Sequence, residues 1–147
     1  MVAALVAVVL VVNGLAAGVL MGTVLGGVPL LLALPPSRYV HAHAFFATRY
    51  DPFMPACLLL TLLGDVVLAV ATGSVFPVLG AVFAAVTVIV SLVGNVPINK
   101  WVQTLDPEDL PGDFQDPRTK WKRANDVRTA CAVAALLCNV LAVALMV

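Results

Sequence analysis

Four long apolar runs, broken by one tight turn and two polar connections, leave this chain few folds to adopt. They cover about 2–26, 53–72, 75–100 and 119–147, and a helix of about 20 apolar residues crosses ~30 Å of hydrocarbon. Composition agrees: hydrophobic residues make up 62% and charged residues 11%, against roughly 25% charged in ordinary globular domains. A chain so poor in charge cannot cover a soluble core of its own size. The expected fold is all-α, an integral membrane four-helix bundle of up-down topology, forming one transmembrane domain over 1–147 with lipid as its surroundings. No basic segment precedes the first run, which therefore reads as a retained span rather than a cleaved leader. A net charge of zero gives no sign of nucleic-acid binding.

In the first run Gly14, Gly18, Gly22 and Gly26 recur every fourth residue, a smooth stripe that invites close helix contact. The expected contact is another helix of this chain, with a homo-oligomer through the same glycines as the alternative. Pro35-Pro36 should stop the helix, and Ser37 is a candidate N-cap for a short interfacial helix through Thr48. Asp51-Pro52 breaks that helix, and Gly73-Ser74 makes the tight turn between spans two and three. All Lys and Arg residues fall in or beside the connections after spans one and three. The positive-inside rule then puts these connections in the cytoplasm and both termini outside, and the plasma membrane is the expected location.

All but four charged residues (Arg38, Arg49, Asp51 and Asp65) lie between Gly94 and Ala130, together with both tryptophans. The acidic middle of this stretch, Asp106 to Asp116, reads as a solvated loop, which directs attention to its shoulders. On a helix Asn95 and Asn99 share one face; so do Trp121, Asn125 and Arg128 on the antiparallel neighbour, at matching depth. Pro97 frees a carbonyl near Val93 that the asparagines can satisfy. Two readings stand: a polar clamp on a kinked helix, or a pocket suited to a planar aromatic ligand with phenolic or enolate oxygens. In the pocket reading Arg128 supplies charge, the asparagines hydrogen bonds, and Trp101 and Trp121 a flat wall.

His41 and His43 are the only histidines, and each is a candidate general base near neutral pH or an interfacial anchor. At i, i+2 on a helix they point about 200° apart and cannot share one metal, so no metal site is assigned. Asp65 is the acidic residue inside a span, at a depth near Asn13 and Asn139. The three are expected to form a polar knot, with Asp65 either a protonated structural partner or a proton relay.

N-V-P-I-N-K-W (95–101 from Asn95) and W-K-R-A-N-D-V-R-T (from Trp121) resemble the anthrone oxygenase-like family of small four-helix membrane proteins. The Gly-rich first helix, the segment Leu34-Pro35 to Val40 and the Met54-Pro55 start of helix two agree with this likeness. Asn95, Pro97, Asn99, Trp121, Asn125 and Arg128 fall on the family pattern. The resemblance implies an oxidoreductase of aromatic polyketide pathways that converts an anthrone to an anthraquinone with O2 and no added cofactor. Haem or copper held by His41 or His43 is the cofactor alternative. From a different class comes the reading of a non-enzymatic scaffold or partner-docking module.

Overall fold

The computed structural model describes residues 2–50 and 52–145; the Asp51 half of the expected Asp51-Pro52 break lies outside them. It is an all-α membrane bundle. Four helical rods are long and apolar enough to cross a bilayer: Val2–Ala33, Phe53–Thr72, Val75–Val102 and Arg118–Ala144. The first combines α1 (Val2–Gly22), a π turn (Thr23–Gly27) and α2 (Val28–Ala33). Next come α3 (Pro36–Tyr50), which is the short helix between spans, and α4 (Phe53–Thr72). The third rod combines α5 (Val75–Val90), a second π turn (Ser91–Asn95) and α6 (Val96–Val102), and the fourth is α7 (Arg118–Ala144). α1 packs on α4 and α7, and α5 packs on the same two, so α1 and α5 stand diagonally across the bundle. Aliphatic side chains cover the outside: Val70 is 84% exposed and Val93 71%, as suits a surface solvated by lipid rather than water.

Both π turns have the same cause. Pro29 and Pro97 each lack an N–H and crowd the carbonyl four residues back, at Leu25 and Val93. The helix widens there, and the N–H groups of Val28 and Val96 bond to the carbonyls five residues earlier, Thr23 and Ser91. The loosening expected near Pro97 is thus a defined wide turn. Pro36 rather than Ser37 opens α3, because the first helical position needs no N–H and suits proline's fixed φ. Gly73 has φ 63°, the left-handed conformation that ends α4 and turns the chain into α5.

The glycine stripe does not do what its spacing predicts within this chain. Among the described residues a Cβ added at Gly14, Gly18, Gly22 or Gly26 would meet nothing within 4 Å, so no described helix packs closely against these positions. Periodicity gives a shared face but not which way that face turns. Close approach occurs instead at single glycines. A Cβ on Gly64 would run into Val9 Cγ2, and one on Gly94 would sit 2.6 Å from Ala124 Cβ. Ala124 Cβ is fixed to its backbone and cannot swing away. Gly94→Ala is therefore expected to cost about 1–3 kcal/mol by overpacking the π turn against α7. Thermal unfolding in detergent checks this, with Gly18→Ala as the control that leaves the midpoint unchanged.

Two buried clusters order the interior. Ala16, Ala17, Leu20, Met54, Cys57, Leu58 and Ala132 fill the middle of the bundle. Val28, Leu31, Tyr39, Val40, Ile98, Val102 and Trp121 fill the end beside the long loop. That loop is more than a solvated connection. Leu105, Leu110 and Phe114 pack onto the second cluster, and Phe114 stacks on Trp101 with ring centroids 5.9 Å apart.

Candidate functional site

Between the two clusters lies a cavity of about 410 Å³, within the ~300–1,000 Å³ range of small-molecule sites. Its walls are mostly apolar; His43, Ser91, Asn99, Trp121 and Arg128 form its inner polar corner, and Thr23, Tyr50, Lys100 and Gln103 also line it. α3 delivers His43, the kinked third rod delivers Ser91 and Asn99, and α7 delivers Trp121 and Arg128.

The hydrogen bonds in this corner fix one another's direction. The Trp121 indole nitrogen can only donate, and it donates to Asn99 Oδ1 at 2.8 Å. That fixes the oxygen side of the Asn99 amide toward Trp121. His43 Nε2 meets the same oxygen at 2.9 Å, so Nε2 carries the hydrogen and donates it. Nδ1 is then bare, and the Tyr39 hydroxyl donates to it at 2.9 Å. His43 also lies edge-on to Trp121, with ring centroids 4.9 Å apart. Burial, opposed by the Asn99 contact and aided by the Arg128 charge, lowers the His43 pKa below its ordinary 6.5. A neutral imidazole at pH 7 agrees with the hydrogen-bond assignment.

Arg128 approaches the cavity from α7, and Asn125 steers it. Asn125 Oδ1 accepts from Arg128 Nε at 3.1 Å and Nη2 at 2.8 Å. Nη1 reaches Ser91 Oγ at 3.5 Å, and the guanidinium carbon lies 5.9 Å from the Trp121 ring centroid. Among the described residues no carboxylate pairs with it.

Of the residues singled out by sequence, His43, Asn99, Trp121 and Arg128 therefore meet at the cavity. Asn95 and Asn125 are fully buried behind it: Asn95 Nδ2 donates to the Trp121 carbonyl at 3.1 Å, which clamps the π turn to α7. Asn95 thus makes the clamp contact, while Asn99 lines the cavity. His41 is exposed on α3, two positions round from His43, and does not reach the cavity. Trp101 is 38% exposed and stacks on the loop, away from the cavity wall. Far along the bundle, Asp65 is fully buried and accepts from Asn139 Nδ2 at 3.3 Å. Gly80 makes room for that pair, since a Cβ there would lie 2.9 Å from Asp65 Oδ2. Asn13 is buried with its Nδ2 unpartnered, so the hydrogen bond seen in the expected knot joins two of its three members. No group of three or more His, Cys, Asp or Glu residues suited to a metal ion occurs among the described residues.

Sequence reasoning missed two contributors. Tyr39 sits one turn before His43 on the buried face of α3, and that i, i+4 spacing was the available signal. Burial, reinforced by Asp116 and opposed by Arg118, pushes its phenol pKa up, so it stays a neutral donor. Arg118 holds the broken end of the first rod. Its Nη1 donates to the carbonyls of Leu31 (2.9 Å), Leu32 (3.3 Å) and Leu34 (2.7 Å), and its guanidinium lies 4.9 Å from the Tyr39 ring centroid. Asp116 pairs with it and is held below the usual carboxylate range by that contact. Arg118→Gln is expected to cost about 1.5–3 kcal/mol, the range for hydrogen bonds to a charged group. Arg118→Lys should recover only part, because an ammonium lacks the planar fork. Unfolding midpoints of the two variants in detergent measure the difference.

A family model described as anthrone oxygenase matches residues 42–138. This chain belongs to the anthrone oxygenase family. The anthrone oxygenase match takes in His43, Ser91, Asn99, Trp121 and Arg128, while Tyr39 and His41 precede it. No curated protein and no solved structure matches the chain.

Proposed function

We propose that this protein is a membrane-bound oxygenase that oxidises an anthrone, or a similarly electron-rich phenolic aromatic, with O2. The observation that carries this reading is a mostly apolar cavity with an inner corner where a cation, an indole N–H and a neutral imidazole converge. A flat ring system lies along the walls with its oxygen toward Arg128 and the Trp121 N–H. The Lys and Arg bias supports a cytoplasmic position for this end of the bundle.

The substrate's ring CH2 is acidic because the resulting anion is an enolate spread over the rings. His43 takes that proton, and Arg128 with Trp121 stabilises the oxyanion. When substrate oxygen replaces Asn99 as acceptor for Trp121, Asn99 turns aside and His43 Nε2 faces the substrate. Nε2 accepts the proton only in the other tautomer: once Asn99 has turned aside, His43 gives up its Nε2 hydrogen and takes one at Nδ1 by exchange with solvent, and Nδ1–H then donates to the Tyr39 hydroxyl. The enolate passes one electron to O2, and the radical pair joins through a new C–O bond as a peroxide. Loss of the remaining C–H proton breaks the O–O bond, giving the second carbonyl and water. One O2 supplies one oxygen atom to the product and one to water, so electrons balance without another reductant.

The test is oxygen uptake by the purified protein in lipid vesicles given an anthrone, measured against protein-free vesicles because such substrates also oxidise unaided. Uptake well above that background, with one O2 consumed per quinone formed, supports the reading. A rate equal to background with anthrones and related hydroquinones alike sinks it.

A further inference from the structure

The cavity's apolar side leads out of the protein sideways. α4 packs along α1 and against α5, but it makes no comparable contact with the π turn and α6 that continue the third rod. The cavity occupies this gap. Pro55, Leu58 and Leu59 of α4 line one edge, and Leu92 and Val96 line the other. Leu59 is 50% exposed and Leu92 59%, and both belong to membrane-crossing rods. At the loop end the same opening is bounded by exposed Tyr50, Lys100 and Gln103. The opening is therefore graded: aliphatic edges where hydrocarbon surrounds the rods, hydrogen-bonding tips where the interface begins.

We infer that this gap is a lateral portal through which the site draws its ligand from the bilayer. The ligand that fits is an amphiphile dissolved in the membrane, a flat apolar body with ionisable oxygen along one edge. Its body slips between Leu59 and Leu92 without leaving an apolar medium. Its polar edge follows the interface past Lys100 and Gln103, whose donors keep it solvated, until it reaches Arg128. Entry from water would instead require stripping the apolar body past the same polar tips. The ligand class rests on the functional reading above; the route rests on the gap alone.

Trp121 supplies a built-in probe, because it is 7% exposed and lines the cavity. Trp101→Phe leaves it as the single tryptophan of the chain and removes only a ring stacked on the loop. This variant, in vesicles of phosphatidylcholine with brominated acyl chains, should lose Trp121 emission to the bromines, which quench at short range. Adding Leu59→Phe and Leu92→Phe narrows the gap, and quenching should fall at least twofold at the same lipid content. Leu92→Phe alone should give an intermediate loss. Acrylamide in the aqueous phase should quench Trp121 weakly in all of them. Lipid quenching that is absent, or unchanged by the phenylalanines, overturns the portal, as does strong acrylamide quenching that marks an aqueous entrance. Portal quenching without oxygen uptake would keep the route and remove the oxygenase, so the two claims fail separately.

Discussion

His43→Phe is expected to lower oxygen uptake on an anthrone by roughly 10²–10⁴-fold, the usual contribution of a positioned general base. Phenylalanine keeps the ring's bulk beside Trp121 but cannot accept a proton or bond Tyr39 and Asn99. His41→Phe, at an exposed position two residues away, should leave turnover within twofold. The pair separates a base from an interfacial anchor. A pH series adds a second readout. Burial depresses the His43 pKa below 6.5, so the base is mainly neutral at pH 7, and activity should fall as pH drops through that lowered value. Stability has the same sign. The unfolded chain binds the proton more readily, so the folded state is unaffected above 6.5 and loses stability as pH falls from there toward the lowered value. The His43→Phe protein should lose that acid limb of unfolding, which checks the assignment without any substrate.

The second large effect is at Arg128. Arg128→Met keeps much of the buried stem but removes the charge facing the cavity, and turnover should drop about 10²–10³-fold, the range for a lost oxyanion donor. Arg128→Lys should recover little, since Asn125 and Ser91 orient a planar fork rather than a point charge. Asn125→Ala offers an informative comparison. It leaves the guanidinium in place but releases its orientation, so KM and kcat should both shift less than in Arg128→Met. Equal, full activity in all three variants would remove Arg128 from the chemistry.

The gross architecture was readable because apolar length and proline position are one-dimensional signals. The four rods and the kink at Pro97 follow from them, although the first rod runs on to Ala33 rather than ending near 26, and the same logic explains the π turn before Pro29. The face shared by Trp121, Asn125 and Arg128 was readable as helical spacing, and so was its meeting with Asn99. Rotation of a helix about its axis was not readable. That is why the Gly14 to Gly26 stripe meets no described helix of this chain while Gly64 and Gly94, which no repeat marks, carry close contacts. For the same reason sequence could not choose between His41 and His43, which point to opposite sides of α3. Arg118 escaped notice because a charged residue beside an acidic loop looks solvated until the broken end of the first rod is placed against it.

The measurement that bears most directly on the oxygenase reading is the fate of isotopically heavy O2 during a single turnover in lipid vesicles. One labelled oxygen atom in the new quinone carbonyl and one in water, formed by the wild-type protein and lost with His43→Phe and Arg128→Met, is the expected result. Quinone formed at the protein-free rate, or formed equally by both variants, would contradict the assignment of this cavity as the reaction site.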